Sequence, residues 1–377
     1  MTTHPDPLPG LDPGLEPGSL ARLRDGSGTC RFRLPHMPKL VALRQHRDTE
    51  AVETASNEWI RTRLGPAFDD IEQRLAERNG LWAGMTHPNA DTAWVQTLAD
   101  VLQYMFILDD IAAYDVHNPD HPTGTVELSG LFEEIHAVMR GEPQHPSSLM
   151  GEVFAELFVR ATNPMSGRQR ERLRGHITTM LEGFAEEIAI VAQGRTLGFD
   201  DYLDLHMISV GMDWVYLLIE TGLGLDLSRD MDAPGESLSG LHELVTRVLI
   251  YQNDIMGFRR DVLSGDPMNG VTALMHEHGL ALQEAVDTLY RMFCQSEEEF
   301  VALGARIITD HPSRADLKAY VEELRYLLAG DIHWHHLARR YHGSDHQWNG
   351  LTSGTLHLTP DRTLYLPDTP DTNLRTP

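Results

Sequence analysis

Apolar residues recur at helical spacing through most of this chain, and this periodicity limits the fold more than any other feature of the sequence. It predicts helices at 49–63, 68–78, 89–113, 166–193, 199–222, 238–263, 280–303 and 313–341. Strand-like alternation is scarce, and the stretch that shows it is 355–366. Several helical stretches are apolar on more than one side, which is typical of helices buried in a large bundle. We therefore expect one all-α domain of roughly ten or more helices.

The two ends of the chain differ in composition from this helical region. Residues 1–35 are rich in proline, glycine and aspartate without an apolar period, which predicts a flexible arm. Residues 344–377 carry scattered threonine, proline, aspartate and glycine, which predicts a C-terminal tail. The helical domain is expected over 36–343.

Charge and cysteine content exclude several classes of function. The formal net charge of −25 would repel nucleic acid and anionic membranes, although arginines or metal ions can still attract an anionic substrate within a cleft. Cys30 and Cys294 provide neither a disulfide framework nor a cysteine zinc site. Without a recognisable secretory pattern or a charge-free membrane span, the sequence predicts a cytoplasmic protein.

The first stretch with chemical potential lies at the end of the helix predicted over 89–113. Asp109 and Asp110 are adjacent there, and Asp115 follows. Carboxylate oxygens are the ligands that Mg²⁺ prefers. Acids at the end of an apolar helix are costly unless a metal ion or an arginine compensates them. Taken alone, the pair is compatible with a metal site or with a solvated helix end.

A second polar set lies within the helix predicted over 238–263. Asn253, Gly257 and Asp261 are spaced i, i+4, i+8 and share one helical face. An amide oxygen and a carboxylate two turns apart can hold one cation between them, and the neighbouring Arg260 suits a phosphate oxygen. The alternative is a polar stripe on a surface helix, but the many apolar neighbours argue against full exposure.

The third stretch is Trp334 to Tyr341, near the end of the last predicted helix. Arg340 can bind a phosphate through two hydrogen bonds, and Tyr341 can donate a further one. By itself this is a common kind of sequence, because a basic helix end more often compensates the helix dipole.

Taken together and in this order, the three stretches resemble the motifs of bacterial and fungal class I terpene synthases. That family has an aspartate-rich motif, a metal triad of the form NDxxSxxxE, and an Arg-Tyr pair on a helix that begins with tryptophan. The resemblance covers roughly residues 36–343. It implies a single-domain class I isoprenoid synthase fold, an α-helical bundle around a central apolar cavity, and a C-terminal tail that can fold over the active site.

The resemblance also implies metal ligands. Asp109 would be the principal ligand of two Mg²⁺ ions, with Asp110 assisting or pairing with an arginine and Asp115 as the distal acid. Asn253 and Asp261 would hold a third Mg²⁺, and Mn²⁺ is a possible substitute.

The substrate contacts implied by the resemblance fall into two groups. Those to the diphosphate are Arg260, Arg340 and Tyr341, and catalysis would depend on Arg340 and Tyr341 together with Asp109. Three aromatic side chains, Phe106, Trp214 and Trp334, are candidates for stabilising carbocations through their ring faces, although ordinary core packing is the commoner role of such residues.

Four positions bear on how closely the chain follows the family pattern. Gly257 stands in place of the usual Ser or Thr ligand, so a water would have to fill that coordination position. Asp261 replaces the longer Glu. Met207 occupies the position of a diphosphate-sensing arginine, with His206 beside it as a weak substitute. Gly211 still fits the helix break that presents carbonyl groups to the substrate.

The implied reaction is Mg²⁺-dependent ionisation of a linear isoprenyl diphosphate, followed by cyclisation to a terpene hydrocarbon or alcohol and release of diphosphate. Farnesyl diphosphate is the first expectation and geranylgeranyl diphosphate the next. One alternative is a catalytically silent homologue that binds a prenyl diphosphate, which Met207 and Gly257 favour. Another is an isoprenyl diphosphate synthase, which would need a second aspartate-rich motif. Family members are often antiparallel dimers, so a homodimer is an option.

Overall fold

The computed structural model describes residues 30–113, 128–142, 146–231 and 238–367. Within these ranges the chain is predominantly helical, which confirms the predicted all-α class. The helices are α1 (Thr49–Leu64), α2 (Ile71–Leu75), α3 (Leu81–Thr86), α4 (Thr92–Ala113), α5 (Leu128–Arg140), α6 (Leu149–Thr162), α7 (Gly167–Ala192), α8 (Phe199–Ser209), α9 (Met212–Gly222), α10 (Ser228–Met231), α11 (Leu238–Ser264), α12 (Gly270–His278), α13 (Leu282–Asp310), α14 (Ala315–Leu337) and α15 (Arg339–His342).

Local sequence signals fix where several of these helices begin. At α7, Ser166 and Gln169 form a capping box, in which the Gln169 amide donates to Ser166 Oγ at 3.2 Å. At α12, the side chain of Asn269 accepts from the Val271 amide at 2.9 Å. The observed α7 differs by one residue at each end from the helix predicted over 166–193.

Five helices were not among the predicted segments, namely α3, α5, α6, α10 and α12. The two longest of them, α5 and α6, each bury a continuous apolar face; on α5 this face consists of Leu128, Leu131, Ile135 and Met139. The periodic signal was therefore present in the sequence and was missed. The helix predicted over 68–78 is shorter than expected, because only Ile71–Leu75 is helical within it.

Helix α11 lies at the centre of the bundle and is packed against α13 and α14. Val248, Leu249, Ile250 and Phe258 are spread around its circumference, and none of them is more than 5% exposed. Burial on all sides holds this helix in place, since each such side chain contributes about 1.5–3 kcal/mol. None of the helices in the described ranges has the length and apolarity required to cross a bilayer.

A small antiparallel sheet joins the two ends of the described chain. Strand β1 (Cys30–Leu34) pairs with β2 (Gly354–Leu358), which pairs with β3 (Thr363–Leu366). The strand-like alternation at 355–366 is thus a hairpin, and the predicted arm over residues 1–35 ends in an ordered strand. Residues 1–29 and 368–377 lie outside the described ranges.

One buried arginine connects this hairpin to the helical bundle. Arg259 of α11 donates to the carbonyl oxygens of Thr359 at 2.7 Å and Pro360 at 2.5 Å. The same guanidinium lies 3.4 Å from the carbonyl oxygen of Tyr341 in α15. The turn of the hairpin is therefore held next to the two helices that carry the second and third motifs.

Neutral histidines pack the hairpin against α14. His336 Nδ1 lies 3.3 Å from the hydroxyl of Tyr365 in β3, and burial lowers the pKa of His336 to about 3. The unfolded chain binds a proton at the ordinary value of 6.5, so lowering the pH favours unfolding. We expect the contribution of His336 to the free energy of unfolding to be complete above pH 6.5 and to fall by about 1.4 kcal/mol per pH unit as the pH drops from there toward about 3.

Urea unfolding between about pH 7 and pH 5 measures this slope. His336→Gln should make the slope shallower, whereas the same change at His311, an exposed residue just after α13, should leave it unaltered. An unaltered slope in His336→Gln would show that His336 is not a source of the acid sensitivity.

Candidate active site

A cavity of about 190 Å³ is enclosed by α4, α7, α8, α9, α11, α14 and α15. Along α4 its lining begins with apolar residues and ends near Asp109, and along α11 it runs from Leu249 to Asp261. Arg260 Nη2 lies 2.6 Å from Asp110 Oδ1, so the charged halves of the two helices meet. One end of the cavity is consequently charged and the other is apolar.

The structure brings most of the predicted site residues into the lining of this cavity. Those that line it are Phe106, Asp109, Trp214, Asn253, Arg260, Asp261, Trp334, Arg340 and Tyr341. Asp110, Gly211 and Gly257 lie behind the lining, where each neighbours a residue that belongs to it. Asp115 falls outside the described residues.

The two adjacent aspartates of α4 have different surroundings. Asp110 is buried and contacts three arginines: Arg340 at 2.5 Å, Arg260 at 2.6 Å and Arg74 at 3.5 Å. Burial acts to raise the pKa of Asp110, but these guanidinium groups outweigh it and hold the pKa below its ordinary value. Asp110 is thus engaged by arginines, which favours its predicted role as an arginine partner over that of an assisting metal ligand.

Asp109 faces the cavity, and its side chain is 41% exposed there. Its Oδ2 accepts a hydrogen bond from Arg340 Nη2 at 2.7 Å. Desolvation raises the pKa of Asp109 to about 6, although Arg340 acts in the opposite direction. A carboxylate in this position is available to a cation that enters the cavity.

The predicted face of α11 is also present, and its polar groups are held in place by neighbours. Asn253 Nδ2 donates to the hydroxyl of Tyr341 at 2.9 Å and lies 3.3 Å from His335 Nε2. Because these contacts engage the amide nitrogen of Asn253, its side-chain carbonyl oxygen is the atom that can bind a cation. Asp261 Oδ2 accepts from Asn269 Nδ2 at 2.8 Å.

Gly257 has a steric explanation. A β-carbon built at this position would lie 3.3 Å from the ring of Tyr341 and 3.6 Å from Asp261 Oδ2. Glycine therefore leaves room for the tyrosine ring on the same face as Asn253 and Asp261. The space that a serine side chain would need is shared with Tyr341.

Aromatic rings surround the third motif. The guanidinium of Arg340 lies 5.0 Å from the centroid of the Phe106 ring, within the range of a cation–π interaction. Tyr341 stacks on His335 with centroids 4.7 Å apart, and Trp334 packs beside Phe106 at 5.5 Å. These contacts fix the orientation of Arg340 and Tyr341 before any ligand binds.

Gly211 breaks the predicted helix over 199–222 into α8 and α9. It has a positive φ of 68°, which favours glycine. A β-carbon there would lie 2.5 Å from Met180 Sδ and 2.7 Å from Trp214 Nε1, and both of these residues line the cavity. The backbone at the break is thus packed directly behind the cavity wall.

Gly211→Ala is expected to lower the free energy of unfolding by about 3 kcal/mol, because backbone strain and a steric clash add together. Gly194→Ala is a matched control, since Gly194 has a φ of 64° with no atom near its β-carbon position. The control should cost about 1–2 kcal/mol from strain alone. Urea unfolding of both variants measures the difference, and equal losses would show that the close approach at Gly211 is unimportant.

Met207, at the position of the missing arginine, is half-buried and packs against the core, whereas the neighbouring His206 lines the cavity. His206 Nδ1 lies 3.2 Å from Glu187 Oε1, and the ring stacks on Tyr202 with centroids 5.2 Å apart. Burial acts to lower the pKa of His206, but the hydrogen bond and charge of Glu187 outweigh it and raise the pKa to about 9.

The sequence reasoning missed several cavity residues. They are Glu187 on α7, Asp266 after α11, and Asp331 and His335 on α14. Burial and the charge of Asp261 raise the pKa of Asp266 well above its ordinary value. Asp331 accepts hydrogen bonds from Trp82 and Gln252, each at 2.7 Å. Glu187 had no motif to mark it, because its position depends on how α7 packs.

The fold and this cavity define the chain as an all-α enzyme of the class I isoprenoid synthase type. Residues 100–299 match the family model described as terpene synthase family 2, C-terminal metal binding. This match covers more than half of the chain, and the protein belongs to that family of terpene synthases, which are lyases that release diphosphate. The resemblance seen in the three motifs is confirmed.

Relatives of the chain occur in several kingdoms. The chain is 25% identical over 325 residues to microbial terpene synthase-like protein 13 of Selaginella moellendorffii, and the alignment covers 83% of this chain and 88% of that protein. It is 27% identical over 335 residues to (2Z,6E)-hedycaryol synthase of Kitasatospora setae, with 84% and 95% covered. The similarity extends along most of each protein and is not restricted to bacteria.

Solved structures show the same fold. Linalool/nerolidol synthase from Streptomyces clavuligerus has a TM-score of 0.69 at 20% identity, and 81% of this chain and 99% of that chain are covered. A variant of cucumene synthase has a TM-score of 0.67 at 20% identity, with 81% and 100% covered. The bundle is therefore preserved where little sequence identity remains.

Proposed function

We propose that this chain ionises a linear prenyl diphosphate with the help of Mg²⁺ and cyclises the resulting carbocation to a terpene hydrocarbon or alcohol. The observation that carries the proposal is the convergence of three distant segments on one cavity. Asp109 comes from α4, Asn253 and Asp261 from α11, and Arg340 from α15. The rest of the cavity wall is largely apolar.

The donor set fits hard divalent cations. Asp109 would bind metal from α4, and Asn253 with Asp261 would bind it from α11, all through oxygen atoms. Burial and the charge of Asp261 raise the pKa of Asp266, and a cation would relieve the repulsion between the two carboxylates. We propose three Mg²⁺ ions, with Mn²⁺ as a substitute. Bound Mg²⁺ supplies a Lewis acid that neutralises the charge of the leaving diphosphate.

The arginines of the charged end would bind the diphosphate. Arg260 and Arg340 converge on Asp110, and Arg340 also contacts Asp109. A diphosphate would bind by competing with these carboxylates for the guanidinium donors. The hydroxyl of Tyr341, which accepts from Asn253, has its own proton to donate. Diphosphate on Arg340 would also weaken its bond to Asp109 and so free that carboxylate for metal.

The apolar end would hold the hydrocarbon chain. Phe106, Trp214 and Trp334 line the cavity, with the Phe106 ring 5.0 Å from the Arg340 guanidinium. Their ring faces can stabilise a passing carbocation. A wall of such residues keeps water from the cation until the skeleton has formed. Because relatives are named nerolidol, hedycaryol and sesquiterpene synthases, we propose farnesyl diphosphate as the first substrate and geranylgeranyl diphosphate as the next.

Incubation of the purified chain with prenyl diphosphates of C10, C15, C20 and C25 length tests the proposal. Cyclised hydrocarbon or alcohol formed with Mg²⁺, and lost on chelation, supports a terpene synthase. Elongated diphosphate formed when isopentenyl diphosphate is added would point to a prenyl diphosphate synthase. Binding without any product would point to a silent homologue.

A further inference from the structure

His206 has one side of its ring fixed and the other turned to the cavity. Its Nδ1 lies 3.2 Å from Glu187 Oε1 and 3.3 Å from Ser209 Oγ, and Ser209 Oγ in turn donates to the same Glu187 oxygen. One face of the ring stacks on Tyr202. Since Nδ1 is engaged and the residue lines the cavity, Nε2 is the nitrogen that faces a bound ligand.

The surroundings of His206 favour an imidazolium. Glu187 contacts its Nδ1, and the charges of Asp254 and Asp109 act in the same direction. In the charged form both ring nitrogens carry protons, so Nδ1–H donates to Glu187 and Nε2–H is a donor toward the cavity. A buried ion pair in a largely apolar wall is costly for stability, and such pairs in cavities often mark functional sites.

His206 also extends the cationic lining to another part of the cavity. Arg260 and Arg340 belong to α11 and α15 and meet at Asp110, whereas His206 belongs to α8. An anion between these helices would be contacted by positive groups from separate elements. Met207, the next residue, packs against the core instead of contributing to this cationic lining.

We propose that His206 is a further ligand of the substrate diphosphate, donating from Nε2–H to a phosphate oxygen, with Glu187 and Ser209 as positioning residues. This inference rests on the proposed function and adds a specific contact to it. No group is transferred to or from the ring, which acts as a fixed charged donor.

Calorimetric binding of inorganic pyrophosphate with Mg²⁺ to the full-length chain tests the contact. His206→Gln, which keeps a donor but removes the charge, should weaken binding by about 10–100-fold. His206→Arg, which keeps the charge, should stay within about fivefold of the unaltered protein. His176→Gln is the matched control, because His176 lies 3.8 Å from Asp213 but outside the cavity lining, and it should bind normally.

Turnover gives a second measurement that a purely structural role would not reproduce. His206→Gln should lower kcat/KM for the preferred prenyl diphosphate in parallel with the loss of pyrophosphate binding, while the ratio of products is unchanged. Glu187→Gln should weaken pyrophosphate binding in the same direction, which provides a variant if His206→Gln fails to fold.

Two outcomes would overturn the inference. Normal pyrophosphate binding by His206→Gln would exclude the contact. A changed product ratio at unchanged pyrophosphate affinity would place His206 against the hydrocarbon instead. If the unaltered protein turns over none of the prenyl diphosphates, the proposed function fails, and the pyrophosphate comparison still decides the role of His206 separately.

Discussion

Asp109→Asn is expected to lower kcat/KM by about 10²–10³-fold while the free energy of unfolding changes by less than about 1 kcal/mol. Asparagine keeps the size of the side chain but removes the charge with which Asp109 would bind Mg²⁺. The fold should tolerate the change, because the Asp109 side chain is 41% exposed to the cavity and its one strong partner, Arg340, retains Asp110. Steady-state kinetics over a range of Mg²⁺ concentrations would measure the loss.

The matched control is Asp310→Asn. Asp310 is an exposed aspartate in the last turn of α13, so it resembles Asp109 in its place on a helix but not in its access to the cavity. The Asp310→Asn variant should retain full activity. Normal turnover and Mg²⁺ dependence in Asp109→Asn would contradict the assignment of the metal site on α4.

Asp110→Asn is expected to act mainly on stability and to lower the free energy of unfolding by about 3 kcal/mol. The substitution leaves the buried guanidinium of Arg340 without its shortest ionic contact, and it removes the carboxylate that also pairs with Arg260 and Arg74. Breaking a buried network of ion pairs is among the largest single costs that a fold can incur. Urea unfolding of Asp110→Asn beside Asp109→Asn compares two neighbours that differ in burial and partners.

This pairing also makes the two aspartates distinguishable if both variants lose activity. Asp110→Asn should recover part of its turnover at low temperature or with ligand, since folding is the affected step. Asp109→Asn should show no such recovery of turnover. A stably folded Asp110→Asn with weakened Mg²⁺ dependence would instead identify Asp110 as a metal ligand.

The helices themselves were largely predictable, because apolar spacing is a local property of the sequence. The start of α7 follows from its capping box within a few residues. The start of α12, a helix that was not predicted, follows from the cap at Asn269. The strand signal at 355–366 was equally local and corresponds to the β2–β3 hairpin. Its pairing with Cys30–Leu34 was not predictable, since more than 300 residues separate the two strands.

At the charged end of the cavity, too, some features were predictable from local sequence and others depended on the tertiary structure. Asp109, Asn253, Asp261 and Arg340 could be selected as candidates because their residue types and spacing suit metal and phosphate. That Asp110 belongs to a set of arginines became visible in the packing of α4 against α11 and α15. Likewise, the crowding that a side chain would meet at position 257 follows from the place of the Tyr341 ring.

The sequence by itself determined the helical class, the position of the three motifs and the kinds of atom they offer to a cation or a phosphate. These depend on residue type and on spacing along a single helix. The tertiary structure decided which acid faces the cavity, which is neutralised by arginine, and that Glu187 and His206 join the lining. Those outcomes depend on contacts between helices distant in sequence, where burial and neighbouring charge set how each group behaves.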